Sequence, residues 1–210
     1  MALNNPFPIG EITVNPGKRV NISLPVADLY TSTSLSMPVQ VICGRRPGPV
    51  LFVSAAIHGD ELNGVEIIRR LLRLKVMNSI RGTLIAVPIV NVHGFLNQSR
   101  YLPGRRDLNR SFPGSARGSI AARLANTFFT QIVSKSNYGI DLHTGAINRA
   151  NLPQIRGNLD DEKTLELATA FGTPVIINSN IRDNSLRACV ADLGAVSYTH
   201  LTLPTSCVQC

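Results

Sequence analysis

Two residues three positions apart, His58 and Glu61, stand in the turn Ile57-His-Gly-Asp-Glu-Leu-Asn-Gly64, which follows the apolar run Leu51-Phe-Val-Ser-Ala-Ala-Ile57. Imidazole nitrogen and carboxylate oxygen both bind Zn²⁺ at close to ~2 Å, and a catalytic zinc site takes three protein ligands with a fourth position left for water. His-x-x-Glu supplies two of the three. The third candidate is His143, in Gly139-Ile-Asp-Leu-His-Thr-Gly145, where another short apolar segment ends in a histidine just before a glycine. Both histidines stand where an expected strand gives way to a Gly-containing turn. In open α/β sheets ligands bind outside the carboxyl ends of strands, so this shared placement favours a His₂Glu set, His58, Glu61 and His143, for one zinc ion per chain over histidines satisfied inside the core.

The second informative stretch lies between Asn91 and Gly118, where Arg100, Arg105, Arg106, Asp107, Asn109 and Arg110 crowd a Gly- and Pro-punctuated loop. Loops of this length in compact domains are usually functional or disordered, and this one leaves near the strand ends where the metal set is expected. A guanidinium fork grips a carboxylate in two places, and an amide beside it adds a donor. Asn109 and Arg110 together are therefore the candidate carboxylate grip. His93, in the same loop, reads as a loop or hydrogen-bonded histidine and does not displace His143.

The elements that must hold these residues follow from periodicity. Residues 1 to 36 read as irregular structure with short strands. Met37 to Gly44 alternates with period two, and a turn at 45 to 49 leads into the Leu51–Ile57 run, a neighbouring strand. From Asn63 the spacing becomes helical, with Val65, Ile68, Leu72 and Val76 on one face. Residues 83 to 90 form a buried strand in which Pro88 argues for an edge or a bulge. A helix over 119–135, a strand over 138–142 ending at His143, a loop over 144–158, a helix over 160–171 closed by Gly172, a strand over 173–178 and a helix over 185–193 complete the pattern. Strand and helix alternate, which implies an α/β fold with a mixed, largely parallel sheet flanked by helices.

Length, charge and cysteine usage set the frame. At 210 residues the chain fits one domain with a core of its own. No apolar run approaches the ~20 residues needed to cross a bilayer, so no membrane span is expected, and a cytoplasmic location is the default reading. Cys43, Cys189, Cys207 and Cys210 read as free thiols; a lone terminal Cys-x-x-Cys has no partner pair. The formal net charge is +8, yet the arginines are dispersed and no nucleic-acid motif is present, which points to a small anionic carboxylate substrate and away from nucleic acid.

With His58-Gly-Asp-Glu61, Asp107-Leu-Asn109-Arg110 and Asp141-Leu-His143 in this order, residues 10 to 194 resemble the succinylglutamate desuccinylase and aspartoacylase family of zinc hydrolases, themselves related to the zinc carboxypeptidases. The resemblance implies a zinc carboxypeptidase-like fold, zinc on His58, Glu61 and His143, a substrate carboxylate on Asn109 and Arg110, and Arg100 polarising the scissile carbonyl, with Arg106 as its competitor. The implied activity is removal of an acyl group from a small N-acyl amino acid. The alternatives are a metallocarboxypeptidase acting on peptides and an inactive zinc-binding fragment.

The family's general base, a Glu in a Glu-x-Gly context on a strand after the second histidine, has no counterpart here. Asp160, Asp161, Glu162, Glu166, Asp183 and Asp192 all fall in helical or polar turn contexts. After Gly194 the chain changes character, with no Lys, Arg, Asp or Glu over 195–210. The expectation is a catalytic domain over 1–194, incomplete at its C-terminal end, and a non-native tail over 195–210 in which residues 196 to 203 have strand propensity.

Overall fold

A computed structural model describes residues 2–28, 32, 34–145, 151–194 and 196–201 of the chain. A small antiparallel hairpin comes first, β1 (Phe7–Ile9) and β2 (Ile12–Val14). It is followed by a long antiparallel pair, β3 (Arg19–Asp28) and β4 (Ser34–Cys43), where the sequence suggested only short strands. The period-two pattern of β3 is punctuated by Asn21, Ser23 and Pro25, which the outermost strand of the sheet tolerates; its register shifts between Pro25 and Ala27.

Next come β5 (Arg46–Ala55) and α1 (Asn63–Leu71). The expected helical face reaches only Leu72. Leu74 is extended, a 3-10 turn covers Lys75–Asn78, and Val76 is 57% exposed instead of buried. β6 (Arg81–Val87) stops one residue before Pro88. This strand lies between two others, so the proline neither marks an edge nor bulges the ladder; it ends the strand where its missing N–H costs nothing.

The long loop holds more structure than its polar character suggested. α2 (Val92–Leu96) is capped by Asn91, whose side chain accepts from Gly94 N, and 3-10 turns span Pro103–Arg105 and Leu108–Arg110. Then come α3 (Ile120–Gln131), capped by Ser119, and β7 (Tyr138–His143). β8 (Gln154–Gly157) lies inside what read as loop. α4 (Glu162–Phe171) runs from its Asp161 cap to a left-handed Gly172, followed by β9 (Val175–Asn178) and α5 (Leu186–Asp192), capped by Ser185. β10 (Val196–Leu201) is the last described strand.

Eight of these strands form one mixed sheet in the order β3-β4-β6-β5-β7-β10-β8-β9. The central strands β6, β5, β7 and β10 are parallel to one another, with antiparallel pairings on either side. Side chains alternate across a strand, so neighbours in β5 serve different cores. Phe52 joins Ile85 and Val87 under Leu124 and Phe128 of α3, the Phe52 and Phe128 rings meeting edge-on at 5.8 Å. Val53 and Ala55 join Leu84 and Ala86 against Ile68 of α1 and Ala168 of α4. Burying each large side chain is worth about 1.5–3 kcal/mol, and this two-sided core fixes the strand ends.

From β5 the chain crosses through α1 to β6 on one side, then through α3 to β7 on the other. β5 is thus a switch point, and a crevice opens at its carboxyl end, where ligands bind in such sheets. That is where His58 and His143 arrive.

Candidate metal centre and arginine-lined cavity

β5 ends at Ala55, and Ala56 takes a left-handed conformation (φ 51) that turns the chain out of the sheet toward His58. The turn lies against α2: a Cβ on Gly59 would come within 1.9 Å of the Gly94 carbonyl carbon, so only glycine fits. A Cβ on Gly64, in the first turn of α1, would come within 2.7 Å of Ala55 Cβ and 2.9 Å of Leu142 Cβ, so the start of this helix packs closely on the ends of β5 and β7.

His58, Glu61 and His143 are each at most 5% exposed. One ligating atom from each lies within 4.8 Å of the others, and they are the group among the described residues that could hold a metal ion. Glu61 joins the two rings. Its Oε1 is 2.7 Å from His58 Nδ1, and its Oε2 is 2.7 Å from His143 Nδ1 and accepts from Thr144 N at 3.0 Å. The opposite nitrogen of each ring is held by a second carboxylate: His143 Nε2 by Asp141 Oδ2 at 2.7 Å, His58 Nε2 by Asp107 Oδ1 at 3.2 Å. Asp141 is anchored by the buried Ser54 hydroxyl, which donates to Oδ1 at 2.8 Å, and Asp107 accepts from Asn109 N at 2.8 Å. Carboxylates behind metal-ligating histidines fix the tautomer and leave the other nitrogen for the ion. The residues therefore fit a metal: two Nδ1 atoms and one carboxylate, buried, oriented from behind and close enough to share one ion.

The electrostatics follow from this packing. Burial alone would raise the Glu61 carboxyl, but the charges and hydrogen bonds of His143 and His58 hold it well below the usual carboxylate range. Burial would lower His143, and Asp141 with Glu61 instead raises it well above its ordinary value. Asp107 is likewise held low by His58, Arg100 and the Asn109 amide against a burial cost.

The cluster opens onto a cavity of about 270 Å³. Arg100, Asn109 and Arg110 line it, so the structure brings those sequence candidates to the metal set. Arg100 Nη1 lies 3.4 Å from Glu61 Oε1 and its Nη2 donates to Asp107 Oδ2 at 3.0 Å. Arg106 is exposed and does not line the cavity. Asn109 Oδ1 accepts from Leu186 N at 3.0 Å, which leaves its NH₂ as the available donor. His93 lies on α2, outside the metal group, and Cys43 and Cys189 are buried free thiols. Cys207 and Cys210 lie outside the described residues.

Sequence reasoning missed Arg156, Ser179, Arg182 and Arg187, which line the same cavity from β8, from just after β9 and from around the start of α5. No spacing signal flagged them, because the strand that delivers Arg156 has only four residues. Asp141 could have been found: residues two apart on a strand share a face, and it stands two before His143.

Residues 47–200 match the family model of the succinylglutamate desuccinylase/aspartoacylase catalytic domain. The chain is 28% identical over 162 residues to an N-alpha-acetyl-L-2,4-diaminobutyric acid deacetylase of Halomonas elongata, an alignment covering 74% of this chain and 47% of that protein. The chain thus spans about half the length of the curated relative it matches. A crystal structure of a succinylglutamate desuccinylase/aspartoacylase from Rhodobacter sphaeroides superposes with TM-score 0.79 at 26% identity, over 87% of this chain and 57% of that one. A metallo-carboxypeptidase from Burkholderia cenocepacia shares the fold at TM-score 0.65 and 14% identity, over 87% of this chain and 55% of its own.

Proposed function

The chain belongs to the succinylglutamate desuccinylase/aspartoacylase family, and from that premise we propose that it binds one zinc ion and acts on the amide bond of small N-acyl amino acids. One observation carries the reading: a buried His-Glu-His group with ligating atoms within 4.8 Å, at the wall of a small cavity lined by guanidiniums. The name of the Halomonas elongata relative, a deacetylase of an N-acetylated amino acid, supports the same substrate class.

Zinc at this site would supply a Lewis acid for the amide carbonyl and a water of lowered pKa. His58, Glu61 and His143 would hold the ion, with Asp107 and Asp141 keeping the ring orientations that suit it. Arg110 and the Asn109 NH₂ bind the substrate carboxylate, which places the amide toward the metal ligands. Arg100, already beside Glu61, is positioned to donate to the carbonyl oxygen as negative charge develops on it.

Proton transfer is where the described residues fall short. Glu61 and Asp141 are the carboxylates lining the cavity, and both are committed, one between two histidines and the other between His143 and Ser54. β10, which runs beside β7, contains no Asp or Glu. General acid–base catalysis contributes about 10²–10⁴-fold, so the reading predicts substrate binding with turnover slower by that order.

The test is hydrolysis of a panel of N-acetyl amino acids by the 210-residue chain with one equivalent of zinc, with and without chelator. Slow, chelator-sensitive release that requires the free carboxylate is the expected outcome. Cleavage of C-terminal residues from peptides with no action on N-acetyl amino acids would move the assignment to a metallocarboxypeptidase.

A further inference from the structure

Two dibasic pairs in the sequence, Lys18-Arg19 and Arg45-Arg46, take no part in the site described above. The fold brings them together. Gly17 N donates to Cys43 O at 2.7 Å and Cys43 N donates to Lys18 O at 3.0 Å, so the end of β4 lies beside the start of β3. A Cβ on Gly17 would come within 3.0 Å of Arg45 Cγ and Nε, which sets the Arg45 side chain across that glycine, next to Lys18. All four cations line one cavity of about 590 Å³. Arg46 is also the register partner of Arg81 in the β5–β6 ladder, so a fifth basic residue stands beside them.

No Asp or Glu lines this cavity, and none of its four cations makes an ion pair among the described residues. Two of them have a structural use. Arg19 Nη2 donates to Leu72 O at 2.7 Å and Arg46 Nη2 to Ser79 O at 3.3 Å, the ordinary service of an arginine to carbonyls at the end of a helix or turn. Lys18 and Arg45 have no such acceptor among the described residues. A single exposed cation is simply solvated. Several around one concavity repel one another, and an anion with more than one charge relieves that repulsion. Guanidinium forks fit phosphate oxygens in two places and lysine adds a point charge. The volume falls in the ~300–1,000 Å³ range of small-molecule pockets. No aromatic side chain lines it, so it lacks the stacking surface that a nucleic-acid strand uses.

We propose that Lys18, Arg19, Arg45 and Arg46 form a binding site for a compact phosphate-bearing polyanion, with a pyrophosphate group as its simplest form. Arg19 and Arg46 are held in place by the carbonyls they serve, and Lys18 and Arg45 close on the ligand. The site is remote from the metal centre. Arg46 begins β5 and Ala55 ends it, and at ~3.3 Å per residue the strand sets the two about 30 Å apart. Binding here needs no metal, so it stands whether or not the zinc hydrolase reading does.

The experiment is titration calorimetry of the metal-free full chain with pyrophosphate, inorganic phosphate and citrate, a carboxylate of similar charge to pyrophosphate. It is repeated on Lys18→Gln/Arg45→Gln and on Arg156→Gln/Arg182→Gln, which removes cations from the cavity beside the metal ligands instead. Pyrophosphate should bind at least about tenfold more tightly than phosphate and about fivefold more tightly than citrate. The Lys18/Arg45 variant should lose about tenfold or more of that affinity, as the removal of two charge-assisted contacts implies, and the Arg156/Arg182 variant should keep it. Lys18 and Arg45 are exposed, and the thermal transition checks that the fold is retained. Should the double variant fail that check, Lys18→Gln and Arg45→Gln singly decide, each expected to lose about threefold. Citrate binding as tightly as pyrophosphate overturns the phosphate class. Affinity unchanged in the Lys18/Arg45 variant, affinity lost only in the Arg156/Arg182 variant, or no binding of pyrophosphate overturns the site.

Discussion

The two walls of the cavity are built on opposite terms. On the metal side the ligands and the carboxylates behind them are answered within the protein: Glu61 takes both histidines, Asp141 and Asp107 take the far nitrogens, and Ser54 and Asn109 N hold those carboxylates. On the arginine side Arg110, Arg156, Arg182 and Arg187 line the same cavity, and none of them makes an ion pair among the described residues. A network closed by protons can exchange them for a cation without rearranging, because its ligating atoms already point inward. A rim of uncompensated cations needs an anion from outside. On the proposed reading, one wall is preorganised for a resident ion and the other for an anionic ligand that comes and goes.

Glu61→Ala removes the group that binds both histidines, and because zinc sites draw about 10–16 kcal/mol from their full ligand set, zinc affinity should fall on the order of a thousandfold or more, measured by competition with a chromophoric chelator. Asp141→Asn keeps the shape and loses the charge behind His143, and changes of this kind cost about 10–100-fold in metal affinity. If either variant bound zinc like the wild type, the metal wall would not be the assembly described. Arg110→Ala acts on the other wall: the Kd for an N-acetyl amino acid should rise about tenfold, as the loss of a charge-assisted hydrogen bond implies, while zinc affinity stays put. An equal loss in both measurements would mean that the two walls are one unit. Ser54→Ala is the mildest test, removing one buried hydrogen bond to Asp141, worth about 1 kcal/mol; a severalfold weaker zinc affinity is expected.

The metal wall also carries a pH signature when metal is absent. Glu61 is depressed below its ordinary 4.5, so its stabilisation is full above that value and lost as pH falls through its folded pKa. His143 is raised above its ordinary 6.5, so its stabilisation is full below that value and lost as pH rises through its folded pKa. Together they predict a chelator-treated chain with its greatest contribution to stability from this pair between those two values, read as a maximum in Tm against pH. Glu61→Gln should flatten the maximum. A Tm that rises monotonically through neutrality would contradict the pairing.

What the sequence disclosed was the wall made from motif residues. His58 and Glu61 sit three apart in one turn, and His143 ends a short apolar strand, so periodicity alone placed all three at strand ends. Parallel pairing of β5 with β7 then brought those ends together, a long-range contact that the alternation of strand and helix implied but did not specify. The arginine wall was illegible for the opposite reason. Arg156, Arg182 and Arg187 come from a four-residue strand and the approach to a short helix, and their convergence depends on β10 and β8 lying beyond β7 in the sheet. Pro88 misled as an edge signal because a strand that ends just before a proline can sit anywhere in a sheet. The Val76 face misled because apolar spacing continues past the point where Leu74 leaves the helical conformation.

One titration bears most directly on the central claim: zinc added to the metal-free chain in two buffers of different ionisation enthalpy, so that stoichiometry, affinity and protons released are read together. The account predicts one zinc per chain, release of about one proton as His143 exchanges its proton for the ion, and affinity that climbs with pH through neutrality. Binding without proton release, or binding that survives in Glu61→Ala, would contradict it.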